Sequence, residues 1–294
     1  MADAYSAVMV TFRRPHELRR ALDAVMAQAA PPTFVIVADN DPAGSGAAVI
    51  AEGRWPVPVH HLPMARNLGP AGGWAAAMDD AAARPDRGEW VLVLDDDDPI
   101  EHHAVVGELL ARARAPRLAA IGLRGAELRR PLGLLRRVVG SRGVPTPADY
   151  LASNGAPLYR WEAIDEVGGF DGRLFFGFED LDVGVRLARA GWTARAVSLD
   201  DLHVVADTAS ARTPWREYYK TRALVAIARR HLGPLTTALT VGRAAGLGAA
   251  RLVPSRGGPA LALARLRGAH DGLRGRLGVR RYDPASNPSK HAQR

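Results

Sequence analysis

Apolar runs with strand character alternate with amphipathic stretches through the first 120 residues. Residues 5–12 form an apolar run bounded by polar positions, the pattern of a buried strand. Pro15 suits the first turn of a helix, and Leu18, Ala21, Leu22, Val25 and Met26 follow at helical spacing until Pro31 and Pro32 end it. Residues 33–38 read as a second strand, stopped by the turn signal Asp39-Asn40-Asp41-Pro42 and followed by a short helix. The same logic predicts strands over 57–62, 90–94 and 118–123, with helices over 71–83 and 100–114. Such a rhythm predicts an α/β fold, with a doubly wound, mostly parallel sheet and helices on both faces. Ligands of such sheets bind beyond the carboxyl ends of the strands. Polar signals collect there: Thr11-Phe12-Arg13, Asp39-Asn40 and the run Asp95-Asp96-Asp97-Asp98.

The rhythm then breaks. Over residues 124–147, six arginines interleave with leucines and valines, the pattern of a short basic amphipathic helix or of a mobile loop. A helix is predicted over 179–190, with acids at its start and Gly191 at its stop, then a last strand over 192–199. Residues 215–232 read as another helix; beyond Pro234 the chain is rich in Ala, Gly and Arg, with weak helical signals. The expected organisation is an α/β domain over 1–212 and a helical, Arg-rich region over 213–294.

Charge sharpens this division. Residues 1–210 hold 22 Lys/Arg against 28 Asp/Glu, a net −6, whereas residues 211–294 hold 17 against 3, a net +14. Such a tail fits a solvated surface, an anionic membrane, an anionic acceptor or nucleic acid. With no cysteine, the chain has no disulfide scaffold, thiol nucleophile or cysteine metal site. Neither a secretory leader pattern nor an apolar run of about 18 residues is present, so the expected location is cytoplasmic.

In an extended segment Asp95 and Asp97 project to one side, where two carboxylates can hold a hard divalent cation; an acidic turn is the plainer reading. Glu179-Asp180 at a helix start has two readings. The dipole makes it a cap, and the same dipole keeps a carboxylate ionised, as a general base requires. Phe175-Phe176-Gly177-Phe178 would wall it with apolar surface. His203, after the last strand, is either structural or a third metal ligand. Asn67-Leu68-Gly69 with Gly72-Gly73 marks a tight loop entering a helix N-terminus.

Taken in order, Val10-Thr11-Phe12-Arg13-Arg14-Pro15, Val37-Ala38-Asp39-Asn40, Asn67-Leu68-Gly69-Pro70-Ala71-Gly72-Gly73, Leu94-Asp95-Asp96-Asp97-Asp98, Ser153-Asn154-Gly155, Gly168-Gly169-Phe170-Asp171, Phe176-Gly177-Phe178-Glu179-Asp180-Leu181-Asp182, His203 and Tyr218-Tyr219-Lys220-Thr221-Arg222 resemble glycosyltransferase family 2. The resemblance spans roughly residues 5–232 and is strongest to bacterial galactofuranosyl- and rhamnosyltransferases of cell-wall polysaccharide synthesis. It implies a GT-A fold and an inverting, metal-dependent transfer from a nucleotide diphosphosugar. In that likeness Thr11, Arg13 and Asp39 line the nucleotide pocket, and Asn67, Gly72, Gly73 and Asp96 close around the donor. Asp95, Asp97 and His203 hold Mn²⁺ or Mg²⁺, with Asp98 leaving the register open by one residue. Asp180 is the base, Glu179 its neighbour, and Trp161 and Arg222 face the acceptor. The implied partners are a UDP- or dTDP-sugar and a glycan or polyprenyl-linked acceptor, with a contact to the inner membrane face.

Two other classes fit less well. A sugar-nucleotide nucleotidyltransferase needs a Gly-rich loop ending in a basic residue after the first strand, where this chain has Thr11-Phe12-Arg13-Arg14-Pro15. A nucleic-acid binder needs aromatic stacking surfaces, and after Tyr219 the only aromatic residue is Tyr282.

Overall fold

The computed structural model describes residues 4–138, 143–199, 213–250 and 258–280. Strands β1 (Tyr5–Thr11), β2 (Val35–Asp39), β3 (Val59–Pro63) and β4 (Trp90–Asp95) alternate with helices α1 (Pro15–Met26), α2 (Ala47–Glu52) and α3 (Gly69–Ala82), as the periodicity predicts. Helix α4 (Val105–Arg112) begins later than its apolar pattern because residues 96–104 stay in turns. Beyond it come β5 (Leu118–Gly122), β6 (Gly125–Arg129), β7 (Leu134–Val138), β8 (Thr146–Ala148), β9 (Tyr150–Leu151) and β10 (Leu158–Arg160). Then follow α5 (Trp161–Val167), α6 (Glu179–Arg189) and β11 (Thr193–Ala196).

The main sheet runs β3-β2-β1-β4-β10-β5-β11-β8, with β10 and β8 antiparallel to their neighbours and the other pairs parallel. Successive residues of β1 feed opposite layers: Ala7 and Met9 pack with α1 and α4, and Val8 and Val10 with α3, α5 and α6. This is the doubly wound arrangement of a buried parallel sheet. The strand order reverses between β1 and β4, and the crevice at such a switch point is where an open α/β sheet binds ligand.

The stretch expected as a basic helix or a mobile loop is neither over its described part. Residues 125–138 form strands β6 and β7, with Arg136 paired to Glu127 at 2.8 Å, in a small sheet β7-β6-β9. Gly133 (φ 59) makes the turn between them. Strand β10 went unread because three residues carry too little periodicity.

Two compact units emerge. The first comprises the described residues of 1–128, 135–172 and 180–207; the second comprises those of 129–134, 173–179 and 208–294. In the second lie α7 (Pro214–Ile227), a π turn over Ala228–Leu232, α8 (Pro234–Ala250) and α9 (Gly258–Leu273). Fully buried Arg222 donates from Nη1 to the Gly278 carbonyl at 2.6 Å and from Nη2 to the Leu174 carbonyl at 2.8 Å. Beside it the Tyr218 hydroxyl donates to Asp271 at 2.7 Å. Among the described residues no helix is long and apolar enough to cross a membrane.

Candidate active site

Register places the polar strand ends side by side. Thr11 pairs with Asp39, and Val10 with Asp95, so β1, β2 and β4 stop together. The Thr11 hydroxyl donates to Asp96 Oδ2 at 2.8 Å, which ties the two strands flanking the switch point. Arg14 Nη1 lies 3.0 Å from Asp96 and 2.5 Å from Asp97. The turn begins at Asp96, so the run is not extended as the spacing argument assumed. Even so, Asp97 is the strongest charge acting on Asp95.

Each carboxyl here has its own setting. Burial, with repulsion from Asp97 and Asp96, raises Asp95 well above the usual carboxylate range against a hydrogen bond from Ser153. Burial pushes buried Asp96 up to about 6, against the pull of Arg14 and the Thr11 hydroxyl. Asp98 also rises to about 6, through burial and then Asp97, with Arg124 opposing. Asp97 is half exposed. Crowded hard oxygen donors that resist joint ionisation fit a divalent cation, whose charge relieves their repulsion. Among the described residues, no three His, Asp or Glu side chains gather as a metal site. His203, the implied third ligand, lies outside the described residues.

The second strand end is built around Asp39. Fully buried, it accepts from the backbone N–H of Asp41 at 3.0 Å and of Gly46 at 2.8 Å, and meets His61 Nε2 at 3.3 Å. Its oxygens therefore hold the 41–46 loop. Arg13 sits in the left-handed region (φ 58), half exposed, with Nε 3.4 Å from Asp41. A non-glycine residue held there is a locally constrained turn.

Asn40, which sequence places at the strand end without a role, clamps the neighbouring loop. Its Nδ2 donates to the Gly69 carbonyl at 3.2 Å, and its Oδ1 accepts from the Leu68 N–H at 3.0 Å. Asn67 Oδ1 accepts from the Gly69 N–H at 2.8 Å, closing an Asx turn at the start of α3. A Cβ on Gly73 would stand 2.7 Å from Val10 Cγ1 and 2.8 Å from Asn40 Nδ2; one on Gly72 would stand 2.4 Å from Leu68 Cβ. Gly73 thus brings α3 against β1, while Gly72 leaves room for the Leu68 side chain at the start of α3. Arg14 and Asn40 could have been found from their places beside Arg13 and Asp39 in the quoted motifs.

Asp180 is half-buried in the first turn of α6, with Oδ1 accepting from the Leu181 N–H at 2.8 Å; Glu179 before it is buried. Gly184, one turn on, has no room for a Cβ: it would lie 2.3 Å from the Asp149 carbonyl and 2.6 Å from Tyr150 Cβ. That approach lays β9 on α6. Burial, then the charge of Asp180, raise the Tyr150 phenol, with Arg124 opposing. Arg124 thus lies close enough to act on both Asp98 and Tyr150, and Asp180 close enough to act on Tyr150.

Two expectations are corrected. Trp161 is buried with Nε1 directed to Ser6 Oγ and the Arg87 carbonyl, each at 3.3 Å; Ser6 lies at the amino end of β1, away from the strand ends that carry the polar residues. Arg222 spends its guanidinium on backbone carbonyls, as above. Phe175 and Phe176 pack on Tyr219 and Trp215, with ring centroids 4.4 and 4.8 Å apart, as internal packing of the second unit.

Residues 6–133 match the family described as Glycosyl transferase family 2. Galactofuranosyltransferase GlfT1 of Mycobacterium tuberculosis is 33% identical over 207 residues, which covers 65% of this chain and 66% of that protein, just under two thirds of its length. An N-acetylglucosaminyl-diphospho-decaprenol L-rhamnosyltransferase of the same species is 30% identical over 242 residues, 69% of this chain and 76% of that one. Among solved structures, mannosyltransferase PcManGT of Pyrobaculum calidifontis, in complex with GDP-Man and Mn²⁺, superposes with a TM-score of 0.58 at 15% identity, covering 92% and 86% of the two chains. TarS of S. aureus with UDP gives 0.52 at 16% identity, covering 85% and 72%. These likenesses show a GT-A fold. With the switch-point crevice and the ordered motifs, they lead to one conclusion: the chain belongs to glycosyl transferase family 2.

Proposed function

We propose that this protein is an inverting, metal-dependent glycosyltransferase. It moves a galactofuranose- or rhamnose-like sugar from a UDP- or dTDP-sugar to a hydroxyl of a glycan, glycolipid or polyprenyl-linked acceptor. The observation that carries this reading is the meeting of Thr11, Asp39 and the Asp95–Asp98 run at one sheet switch point, with the Thr11 hydroxyl bonded to Asp96.

Asp95 and Asp97 would hold Mn²⁺ or Mg²⁺, with His203 as the third ligand. The bound cation would neutralise the charge that collects on the departing diphosphate. Thr11 and Asp96 fix the floor of the nucleotide pocket, and Arg13 flanks it. Asp39 keeps the 41–46 loop in place, while Asn67, Gly72 and Gly73 set the loop and the helix start opposite. Asp180 accepts the acceptor hydroxyl's proton at a carboxylate oxygen, and Glu179 precedes it on α6. A carboxylate with a pKa of about 3.9 is a weak base for an alcohol, so proton transfer runs late and positioning supplies much of the effect. A helix N-terminus favours the charged form of a carboxylate in its first turn, the form a base needs.

The test incubates the protein with UDP- and dTDP-sugars, Mn²⁺ and a glycan acceptor, and reads glycosylated product and free nucleoside diphosphate. Asp180→Asn should bind donor yet lose most of its transfer activity; full transfer by that variant overturns the assignment. Release of pyrophosphate in place of a nucleoside diphosphate would make the protein a nucleotidyltransferase. The basic second unit also fits a peripheral contact with the anionic cytoplasmic face of a membrane.

A further inference from the structure

Helix α8 is built inside out. Thr236, Thr237 and Thr240 are buried, whereas Leu235 is 60% and Leu239 38% exposed. The buried hydroxyls bond within their own helix, Thr237 to the Gly233 carbonyl and Thr240 to the Thr236 carbonyl, both at 2.8 Å. On the outward side stand Pro234, Leu235, Ala238, Leu239, Gly242, Ala245, Gly246 and Ala249, a stripe without one polar side chain. A helix on a water-facing surface sorts its residues the other way, with apolar groups inside.

The stripe is not isolated. Among the described residues, every large hydrophobic side chain that is exposed, Val144 apart, belongs to this unit, including Leu263 and Leu266 on α9. An apolar groove of about 680 Å³ runs beside the stripe, lined by Pro234, Ala238, Val241 and Leu273 with Arg229 among them. The hairpin tip at Arg129–Leu134 joins it: Arg243 Nη2 donates to the Gly133 carbonyl at 3.0 Å, leaving Arg129, Arg130 and Leu132 exposed. Exposed leucines are therefore bordered by exposed arginines, Arg129, Arg130, Arg229 and Arg267.

We infer that α8 is an interfacial helix: its Leu235 and Leu239 face lies in the surface of an anionic phospholipid bilayer, and the bordering arginines meet the headgroups. A second copy of the chain is the less suitable occupant, because it would bring two strongly cationic surfaces together. An anionic bilayer supplies both the apolar phase and the opposite charge. The inference locates the membrane contact proposed above and rests on that part of the reading alone; sugar transfer does not depend on it.

The test uses the full chain with sedimentable vesicles of phosphatidylcholine alone or with about one third phosphatidylglycerol. Binding to the anionic vesicles should persist in part at high salt, and Leu235→Gln with Leu239→Gln should lower the partition at least tenfold. Because the chain has no cysteine, Leu239→Cys can carry a single environment-sensitive fluorophore, with Ala111→Cys on α4 as the control. A blue shift at 239 and none at 111 on adding anionic vesicles is the expected result. Equal partition of the wild type and the double variant, or binding without the shift, overturns the inference in favour of arginines alone. No sedimentation overturns it outright. A shift that depends on protein concentration without lipid assigns the face to a second copy. Transfer to a short soluble acceptor, read in parallel, separates failure here from failure of the proposed reaction.

Discussion

The two units handle polarity in opposite ways. In the first, apolar residues fill both faces of the sheet and polar ones collect at the strand ends, where burial, and then repulsion between neighbours, hold Asp95, Asp96 and Asp98 back from ionising. In the second, an arginine is fully buried at the centre while leucines face outward on α8. Where a protein stores unfavourable exposure or unfavourable charge, it has left room for something else to relieve it. On the reading proposed above, a cation and a diphosphate would do so in the first unit, and an apolar surface rimmed by anions in the second.

Substitutions in each region should separate chemistry from folding. The largest effect is expected from Asp180→Asn, which should lower transfer by about 10²–10⁴-fold or more with donor affinity and thermal unfolding unchanged. A parallel loss of stability would mean the carboxylate serves only as a helix-start group. Arg222→Met should do the reverse. Leaving the Leu174 and Gly278 carbonyls without their donor should cost about 2–5 kcal/mol in denaturant unfolding, since each is a buried acceptor stripped of its partner. Asp97→Ala should abolish the gain in nucleotide affinity that Mn²⁺ gives, measured by titration with and without the metal; an unchanged gain would move the ligand to Asp98.

Gly73→Ala presses a methyl group on Val10 and Asn40 and should cost about 1–3 kcal/mol, while weakening donor binding through the displaced loop. The smallest effect is a pH dependence. Asp96 and Asp98 take up protons more readily folded than unfolded, so the native state binds more protons between about pH 4 and 6. Their contribution to stability therefore falls as pH rises through that window and levels off above it. Metal-free protein should show this drop in melting temperature, and Asp98→Asn should flatten it.

The first half of the fold was legible because long buried strands and amphipathic helices leave clear periods and the polar residues fall just past them. Thr11, Asp39 and the aspartate run were found this way. The Asp39 carboxylate's role in bracing its own loop was not, since it depends on the backbone of residues 41–46. Strands β8 to β10 are too short to carry a period, and Arg-rich composition hid β6 and β7. Trp161 and Arg222 misled for another reason: an aromatic or a cation in a motif does not disclose whether it is buried. The reversed faces of α8 escaped notice because Thr and Ala are nearly neutral on any hydrophobic scale, so only packing reveals which side is in.

Arg14 reaches Asp96 and Asp97 through a single nitrogen. The chain thereby carries its own placeholder for positive charge at the most acidic spot on the sheet edge. In the proposed site, a divalent cation would have to displace this tethered guanidinium from Asp97.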